Sequence, residues 1–506
     1  MFFNSLIYFA PVNTRFLSAF LILLSITLFY SCKTGLKGTE KDNLAPNTHT
    51  IIDTIIRIGA DRMNAQVELQ WWGDDADGFI KGYEFTFDSV ITTSTVWYFT
   101  AKQDSTFILS IPAGKDTVDF IFYVRAIDNL NIPDPTPARL GLPVKNSAPS
   151  VVFLSGPNNP SVTFPVVKFY WKGTDPDGDE NLLRYELCWN DTSQIPYSLD
   201  ISASSGTFIA TTFATNNPSS NVFANNDLTA QATLMNGMIL NDSNHLFIRA
   251  VDKSEAKSAF VSSYKIFIKK PSSTTLLCEG YTSPTQSATA LTFYSQNLTA
   301  AGVTSFDTLN IFQQQTGVYT QLAPDNLTQS RIFSLFNTII WFSNDASKSL
   351  SLGQRTLDNF FNAGGKLFEA VYVSSSFDEQ STFLDFTPVQ SLIAYSDTAL
   401  ILQDTSSVFA QQAGYPDLKS NSIISNVKPF NLVPGAVPIY NANLTGKKIS
   451  TNFLFPWTGA STVIASKSNQ SGQVNFIFSS LELQKLDGLS NATQLFQQLF
   501  VQEFGL

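Results

Sequence analysis

The sequence predicts a multidomain protein in which two β-sandwich modules are followed by an α/β domain with a parallel sheet. A twelve-residue pattern ending in Asp-x-Asp-Gly occurs twice, each time after apolar residues that alternate as in a half-buried strand. Beyond residue 271, apolar strand-like runs alternate with helix-like runs, which is typical of parallel sheets. The length of 506 residues agrees with about three domains.

The N-terminus carries a targeting signal. Residues 16–31 read FLSAFLILLSITLFYS and lie between Arg15 and Cys32. A basic residue, a short apolar run and a small residue before the next position form a signal-peptide pattern, and the run is shorter than the roughly 20 residues of a spanning helix. The site Phe29-Tyr30-Ser31-Cys32 resembles the looser lipobox of Bacteroidetes-type lipoproteins.

This resemblance implies that residues 1–31 are removed and that Cys32 is acylated. The acyl chains would anchor the protein to a membrane, as an outer-membrane lipoprotein of the bacterial cell envelope that faces the periplasm or the surface. An ordinary cleaved signal peptide and an uncleaved membrane anchor are the alternatives. Residues 32–50 are polar, contain Gly and Pro, and are predicted to form a flexible tether.

The internal repeat predicts two related modules. Residues 67–78 (VELQWWGDDADG) and 167–178 (VKFYWKGTDPDG) align without a gap, and Trp71 corresponds to Trp171. Further along, residues 122–128 (FYVRAID) match residues 246–252 (LFIRAVD). In both copies the alternation of apolar residues predicts strands, and the acidic Gly-containing stretch predicts a turn.

The pattern resembles fibronectin type III modules, which have a Trp on the second strand, a Tyr on the third and V-x-A on the sixth. The resemblance implies an Ig-like β-sandwich over 51–145 and another over 150–271, the second with an extra polar stretch around 196–235. The family's corner tyrosine is replaced by Phe120 and Asn244, so its hydrogen bond is expected to be lost.

The acidic turns are the candidate metal sites. Carboxylates at alternate positions with a Gly between them suit Ca²⁺, and the resemblance implies that the turns of each module meet at one end of the sandwich. The candidate ligands are Asp75, Asp77 and Asp128 in module one and Asp175, Asp177, Asp179 and Asp252 in module two. Plain turn chemistry explains the same residues without a metal.

The last domain, residues 272–506, is predicted to be α/β. Strands are expected at 275–278, 306–311, 337–342, 366–373 and 474–478, and helices at 285–301, 354–362 and 493–504. The order resembles the flavodoxin-like fold of class I glutamine amidotransferases, although 380–470 matches poorly. That family uses a Cys or Ser nucleophile with a His. Here no Cys follows the strand at 366–373, and no His occurs after His245, so the resemblance implies an inactive relative.

Composition excludes several functions. Only 14% of residues are charged and the net charge is −10, which argues against nucleic acid as a partner.

Two of the three cysteines, Cys188 and Cys278, are expected to be buried free thiols, although a disulfide between them is possible from the sequence. There is no phosphate-binding loop motif of the G-x-x-x-x-G-K type.

The preferred hypothesis is a non-catalytic binding or scaffold lipoprotein whose ligand is a glycan, a peptide or a partner protein. The expected ligand site is the crevice at the carboxyl ends of the parallel strands. Its predicted lining is Gly280, Tyr281, Asn344, Asp345, Ser374, Ser375 and Ser376. One alternative is a hydrolase of surface polymers that uses Glu369, Asp378 or Glu379. Another is a structural component of a secretion or gliding apparatus.

Overall fold

The computed structural model describes residues 41–51, 66–112, 114–156, 159–311, 322–374 and 386–506. The chain divides into two compact units. The first contains module one, with Val67–Leu109 and Thr117–Val144. The second contains Lys145–Leu506, and so combines module two with the α/β domain. The predicted lipidation site, Cys32, lies outside the described residues.

Module one is a seven-stranded sandwich. One sheet has the order β1-β2-β5 and the other β4-β3-β6-β7. Val67, Leu69 and Trp71 on β2 are buried as predicted, and the Trp71 ring packs against Phe122 with centroids 5.6 Å apart. The strands are β1 Asn47–Thr50, β2 Gln66–Asp74, β3 Ile80–Thr86, β4 Tyr98–Thr100, β5 Asp104–Ile108, β6 Thr117–Asp128 and β7 Ala138–Lys145.

Module two repeats this plan and enlarges it. Its main sheets have the orders β14-β13-β10-β8 and β12-β11-β16-β17, and a small third sheet has the order β15-β18-β9. The strands are β8 Ser150–Leu154, β9 Val162–Thr163, β10 Val166–Thr174, β11 Leu182–Trp189, β12 Tyr197–Asp200, β13 Ser205–Ala210, β14 Ser220–Ala224, β15 Asp242–Asn244, β16 Leu246–Asp252, β17 Val261–Ser262 and β18 Ile266–Ile268. A 3-10 helix spans Asp179–Asn181.

The extra residues of module two begin later than predicted. Strands β12 and β13 occupy the places of β4 and β5 in module one, because β12 pairs with β11 and β13 pairs with β10. The additional part is therefore residues 211–241, which contain β14, rather than 196–235. This segment follows β13 and adds β14 to the edge of the sheet that contains β13, β10 and β8.

The corner hydrogen bond is present in module two, so the prediction that it is lost is wrong there. Asn244 is fully buried, and its amide donates to the Ile239 carbonyl at 2.7 Å and accepts from the Ile239 N–H at 2.9 Å. A short amide at this position thus binds the backbone a few residues upstream, as the longer tyrosine does in the family.

The repeated Glu and Arg form equivalent cross-strand pairs. Glu84 faces Arg125 in module one, and Glu186 faces Arg249 in module two, each with an N–O distance of 2.6 Å. Each guanidinium also lies over an aromatic ring, at 4.0 Å from the Trp97 centroid and 4.3 Å from the Phe260 centroid. These half-buried pairs explain why an Arg lies between two apolar residues on both β6 and β16.

The α/β domain contains a nine-stranded mixed sheet. Its first half has the order β20-β19-β21-β22-β32, and all four of these pairings are parallel, as expected. The sheet continues in antiparallel fashion with β31 (Thr462–Ser468), β28 (Val437–Ala442), β25 (Ser407–Ala410) and β26 (Leu418–Lys419). The five parallel strands are β19 Thr275–Gly280, β20 Asp307–Asn310, β21 Thr338–Ser343, β22 Lys366–Val371 and β32 Val474–Ser479. The flavodoxin-like classification stays a prediction.

Helices cover both faces of this sheet. One apolar cluster contains residues of α1 and of the C-terminal helices, and the other contains residues of α2, α3 and α4. The helices are α1 Pro284–Ala300, α2 Asn326–Phe333, α3 Ala346–Thr356, α4 Asp358–Asn362 and α5 Ala492–Phe496. A 3-10 helix at Leu483–Lys485 precedes α5, and a π-helix at Gln497–Glu503 follows it. The predicted helix at 354–362 is instead the end of α3 and all of α4, and Gly364 ends it with φ +86° as predicted.

The poorly matching region is rich in short strands. Two small sheets, β23-β27 and β24-β29-β30, accompany the antiparallel half of the large sheet. The strands are β23 Val389–Leu392, β24 Thr398–Ile401, β25 Ser407–Ala410, β26 Leu418–Lys419, β27 Phe430–Leu432, β28 Val437–Ala442, β29 Thr445–Lys448, β30 Leu454–Pro456 and β31 Thr462–Ser468.

Module two and the α/β domain share a buried joint. The Lys168 ammonium is 2.7 Å from the Asp325 carboxylate and donates to Asn226 at 2.7 Å. The Tyr170 hydroxyl donates to the same carboxylate at 2.8 Å. The Lys168 side chain is only 1% exposed and that of Asp325 is 27% exposed, so the ammonium is shielded from water and the ion pair connects the two domains.

Both described cysteines are free and buried, which confirms the prediction for Cys188 and Cys278. Within the described ranges, none of the helices has the length and apolar character to cross a membrane.

Candidate functional site

The acidic turn of module two binds the segment that precedes the module. The Asn146 amide donates to the Asp252 carboxylate at 2.6 Å, and the Ser147 N–H donates to Asp177 at 2.5 Å. Asp252 also accepts from the Ala256 N–H at 2.8 Å. N–H donors therefore satisfy carboxylate oxygens that were expected to bind a cation.

Module one repeats this arrangement with equivalent residues. The Asn43 amide donates to Asp128 at 2.5 Å, and the Leu44 N–H donates to Asp77 at 3.0 Å. Burial alone would raise the pKa of Asp128, but the hydrogen bonds from Asn43 and from the backbone N–H groups of Ile132 and Leu130 outweigh it and lower that pKa.

The two donors belong to a short motif that the repeat analysis missed. The sequence is Asn-x-Ala-Pro at Asn43–Pro46 and again at Asn146–Pro149, each directly before the first strand of its module. We refer to these two tetrapeptides as the capping segments. The alignment of the modules could have revealed them if it had been extended upstream by one strand.

Calcium binding at the acidic turns stays a prediction. Among the residues that the structure describes, no group of three or more His, Cys, Asp or Glu side chains is placed to hold a metal ion. Asp75 and Asp175 each keep one buried oxygen without a hydrogen-bond partner. Burial, together with the nearby carboxylates of Asp177 and Asp252, raises the pKa of Asp175 to about 6. In this structure, Asp252 and Asp177 accept hydrogen bonds from the capping segment, and Asp179 accepts one from the Asp175 N–H.

Three of the predicted ligand-site residues do lie together at the strand ends. Gly280 ends β19, and a side chain there would come within 2.8 Å of the Ile311 and Ser343 side chains, so glycine allows these two to pack closely. Asn344 follows the neighbouring strand β21 and exchanges hydrogen bonds of 3.1 Å with Thr282. Tyr281 is buried and its hydroxyl donates to Glu482 at 3.0 Å. The polar groups at this edge thus mostly bind one another.

The other predicted residues do not join this group. Asp345 follows Asn344 and is the N-cap of α3, where its side chain accepts the Lys348 N–H at 2.9 Å, and it lines a cavity of about 510 Å³ between α2 and α3. Ser374 is half-buried just beyond β22. Ser375 and Ser376 lie outside the described residues.

The candidate acid of the hydrolase hypothesis is in the core. Glu369 on β22 is 1% exposed, and neither of its carboxyl oxygens has a hydrogen-bond partner. Burial raises its pKa to about 8. A group that protonates a polymer must contact that polymer, so the position of Glu369 does not suit this role. Asp378 and Glu379 lie outside the described residues.

Module two has a cleft that the sequence did not predict. It has a volume of about 690 Å³ and is lined by residues 187–191 and 194–197, at the end of β11 and in the following turn, and by residues 217 and 234–239. The second stretch belongs to the extra residues that module one lacks. Because the two stretches are distant in sequence, no local pattern marks the cleft.

The strand orders define a tandem β-sandwich protein with a C-terminal α/β domain. No protein-family model matches the sequence, and no curated protein matches it. Among solved structures, the chain is similar to the fibronectin(III)-like modules of Clostridium thermocellum CbhA, with 13% identity over 44% of this chain and 94% of the other, at a TM-score of 0.16.

Two chicken proteins give similar values. The FN1–FN3 domains of CNTN1 are 12% identical over 41% of this chain and 62% of theirs, with a TM-score of 0.15. The interferon gamma receptor alpha chain is 7% identical over 45% of this chain and 100% of its own, with a TM-score of 0.19. At such TM-scores these similarities carry no argument about ligands or partners, and the assignment of the sandwiches depends on their strand order.

Proposed function

We propose that the chain is a lipoprotein of the bacterial cell envelope, anchored through Cys32, that acts as a non-catalytic binding or scaffold protein. Its ligand is a glycan, a peptide or a partner protein. The modules connect the anchor to the α/β domain, and the ligand-binding surfaces belong to the second unit.

The observation that carries this proposal is the buried joint of Lys168, Tyr170 and Asp325. The Lys168–Asp325 ion pair and the Tyr170–Asp325 hydrogen bond connect module two to the α/β domain, and Asn226 of module two accepts a further hydrogen bond from Lys168. The Arg331 guanidinium adds to it by lying 4.1 Å from the Phe223 ring centroid and donating to the Asp227 carbonyl. A fixed arrangement suits a protein that presents surfaces to a partner.

The anchor is tested by metabolic labelling with palmitate in the native host or a related bacterium. We expect the wild-type chain to carry the label and to sediment with membranes, because two or three acyl chains hold a protein firmly. The Cys32→Ser variant should lose the label and enter the soluble fraction. Cys188→Ser, which changes a buried thiol in the same way, should keep both. A Cys32→Ser variant that remains labelled would contradict the anchor.

The binding role is tested by cross-linking in native membranes followed by purification of the full chain. Recovery of a defined partner or polymer supports the proposal. Turnover of a polysaccharide or peptide by the purified chain would contradict the non-catalytic role.

A further inference from the structure

The cleft of module two combines an apolar floor with an unsatisfied donor. Its apolar lining consists of the exposed side chains of Ile195 (97%) and Leu234 (50%) and of the buried side chains of Leu187, Trp189, Met235 and Met238. The indole N–H of Trp189 is buried without a hydrogen-bond partner. A buried donor of this kind is unfavourable unless an acceptor such as an ordered water reaches it.

The rim of the cleft is polar but almost uncharged. Amide side chains of Gln194, Asn217 and Asn236 line it, together with one carboxylate, Asp191. That carboxylate already accepts hydrogen bonds from Ser193 and Gln194 at 2.7–2.9 Å. Among the described residues that line the cleft, none is Lys, Arg or His.

These amides keep hydrogen-bonding capacity for a ligand. Each side-chain amide offers two donor hydrogens and one acceptor oxygen. The Asn236 oxygen accepts from Ser219 at 2.6 Å, which leaves its NH₂ group directed to other partners or water. Asn217 is exposed, and its side chain makes no hydrogen bond to another described residue.

We propose that this cleft binds a neutral oligosaccharide. A sugar ring presents an apolar C–H face and uncharged hydroxyl groups, which match an apolar floor and an amide rim. Phosphate, sulfate or uronate groups would meet no cation here and one carboxylate. The volume of about 690 Å³ is within the range of roughly 300–1,000 Å³ for small-ligand sites. This proposal rests on the binding role proposed above and names its ligand class and site.

The test is isothermal titration of the full chain in detergent with maltohexaose, cellohexaose, laminarihexaose and mannohexaose. Hexagalacturonate serves as the anionic comparison and an Ile- and Leu-rich octapeptide as the apolar one. We expect at least one neutral hexasaccharide to bind and the other two probes not to bind. The double variant Asn217→Ala/Asn236→Ala should weaken that binding about tenfold, because it removes two hydrogen bonds to hydroxyls. Both positions are at the rim, so folding should be retained.

Asn216→Ala is the matched control, since Asn216 is exposed in the same loop but does not line the cleft. It should leave the affinity unchanged. Failure of all four neutral sugars to bind at about 10 mM would overturn the proposal. Binding of the octapeptide without any sugar, or sugar binding that the double variant leaves intact, would overturn it as well. Palmitate labelling and membrane cross-linking do not involve the cleft, so they can succeed while this proposal fails.

Discussion

The buried carboxyl of Glu369 predicts a pH-dependent contribution to stability. Its ordinary pKa is 4.5, and burial in the core raises the folded-state value to about 8. The folded chain therefore binds this proton more tightly than the unfolded chain does. The resulting stability is fully present below pH 4.5, declines as the pH rises from there to about 8, and is lost above that value.

The magnitude follows from the difference between the two pKa values. Each unit corresponds to about 1.36 kcal/mol, so ionisation of Glu369 costs the folded state up to about 5 kcal/mol. Glu369→Gln has nearly the same shape and cannot ionise. We therefore expect the free energy of unfolding of the variant, minus that of the wild type, to grow by several kcal/mol between pH 5 and pH 9.

Urea unfolding followed at several pH values measures this difference. If the amide packs differently from the carboxyl, the unfolding free energy shifts by the same amount at every pH. Such a constant shift does not affect the prediction, which concerns only how the difference between variant and wild type changes with pH. Asp358→Asn, which neutralises an exposed carboxylate of the same domain, should show no comparable growth. Parallel stability profiles for Glu369→Gln and wild type would refute the reasoning, since they would mean that the carboxyl is solvated or paired in solution.

Three further predictions concern the capping segments and the joint. Asn146→Ala should lower the unfolding free energy of the second unit by about 1–3 kcal/mol in urea titrations, because the charged Asp252 carboxylate loses the hydrogen bond from Asn146. The control Asn216→Ala should change this free energy by less than about 0.5 kcal/mol. Lys168→Met should lower the unfolding free energy by about 3–5 kcal/mol in the same assay, because Asp325 keeps its charge without its cation. A decrease below about 1 kcal/mol would contradict a buried ion pair at this position. Calorimetric melting should be the same with excess Ca²⁺ and with chelator, and a clear rise with Ca²⁺ would show that a cation binds after all.

Local pattern was enough to predict much of the sandwich modules and of the parallel sheet. Leu69 and Trp71 are buried because alternation along β2 determines which face is covered, and this alternation is visible in the sequence. Helix α2 was missed because its sequence, NLTQSRIF, is weakly apolar. Its start was marked by Asp325, whose side chain accepts the Thr328 N–H as an N-cap, and this signal was available.

The functional features were harder to predict because they depend on contacts between distant residues. Asn43 and Asp128 are 85 positions apart, and Asn146 and Asp252 are 106 apart. Carboxylates grouped in a turn suggest a cation when their partners are unknown, and here those partners are N–H groups from the preceding segment. Likewise the short strands between 386 and 470 pair through register that residue patterns do not specify.

The capping segment of module one also limits the distance between module one and a lipid anchor at Cys32. Asn43 is bound to Asp128, so the chain is attached to the module at this residue, before the first strand. Asn43 is eleven positions after Cys32. Eleven residues span at most about 40 Å, even when fully extended. If Cys32 is acylated, Asn43 therefore lies within about 40 Å of the lipid anchor, and breaking its bond to Asp128 would allow module one to lie further away.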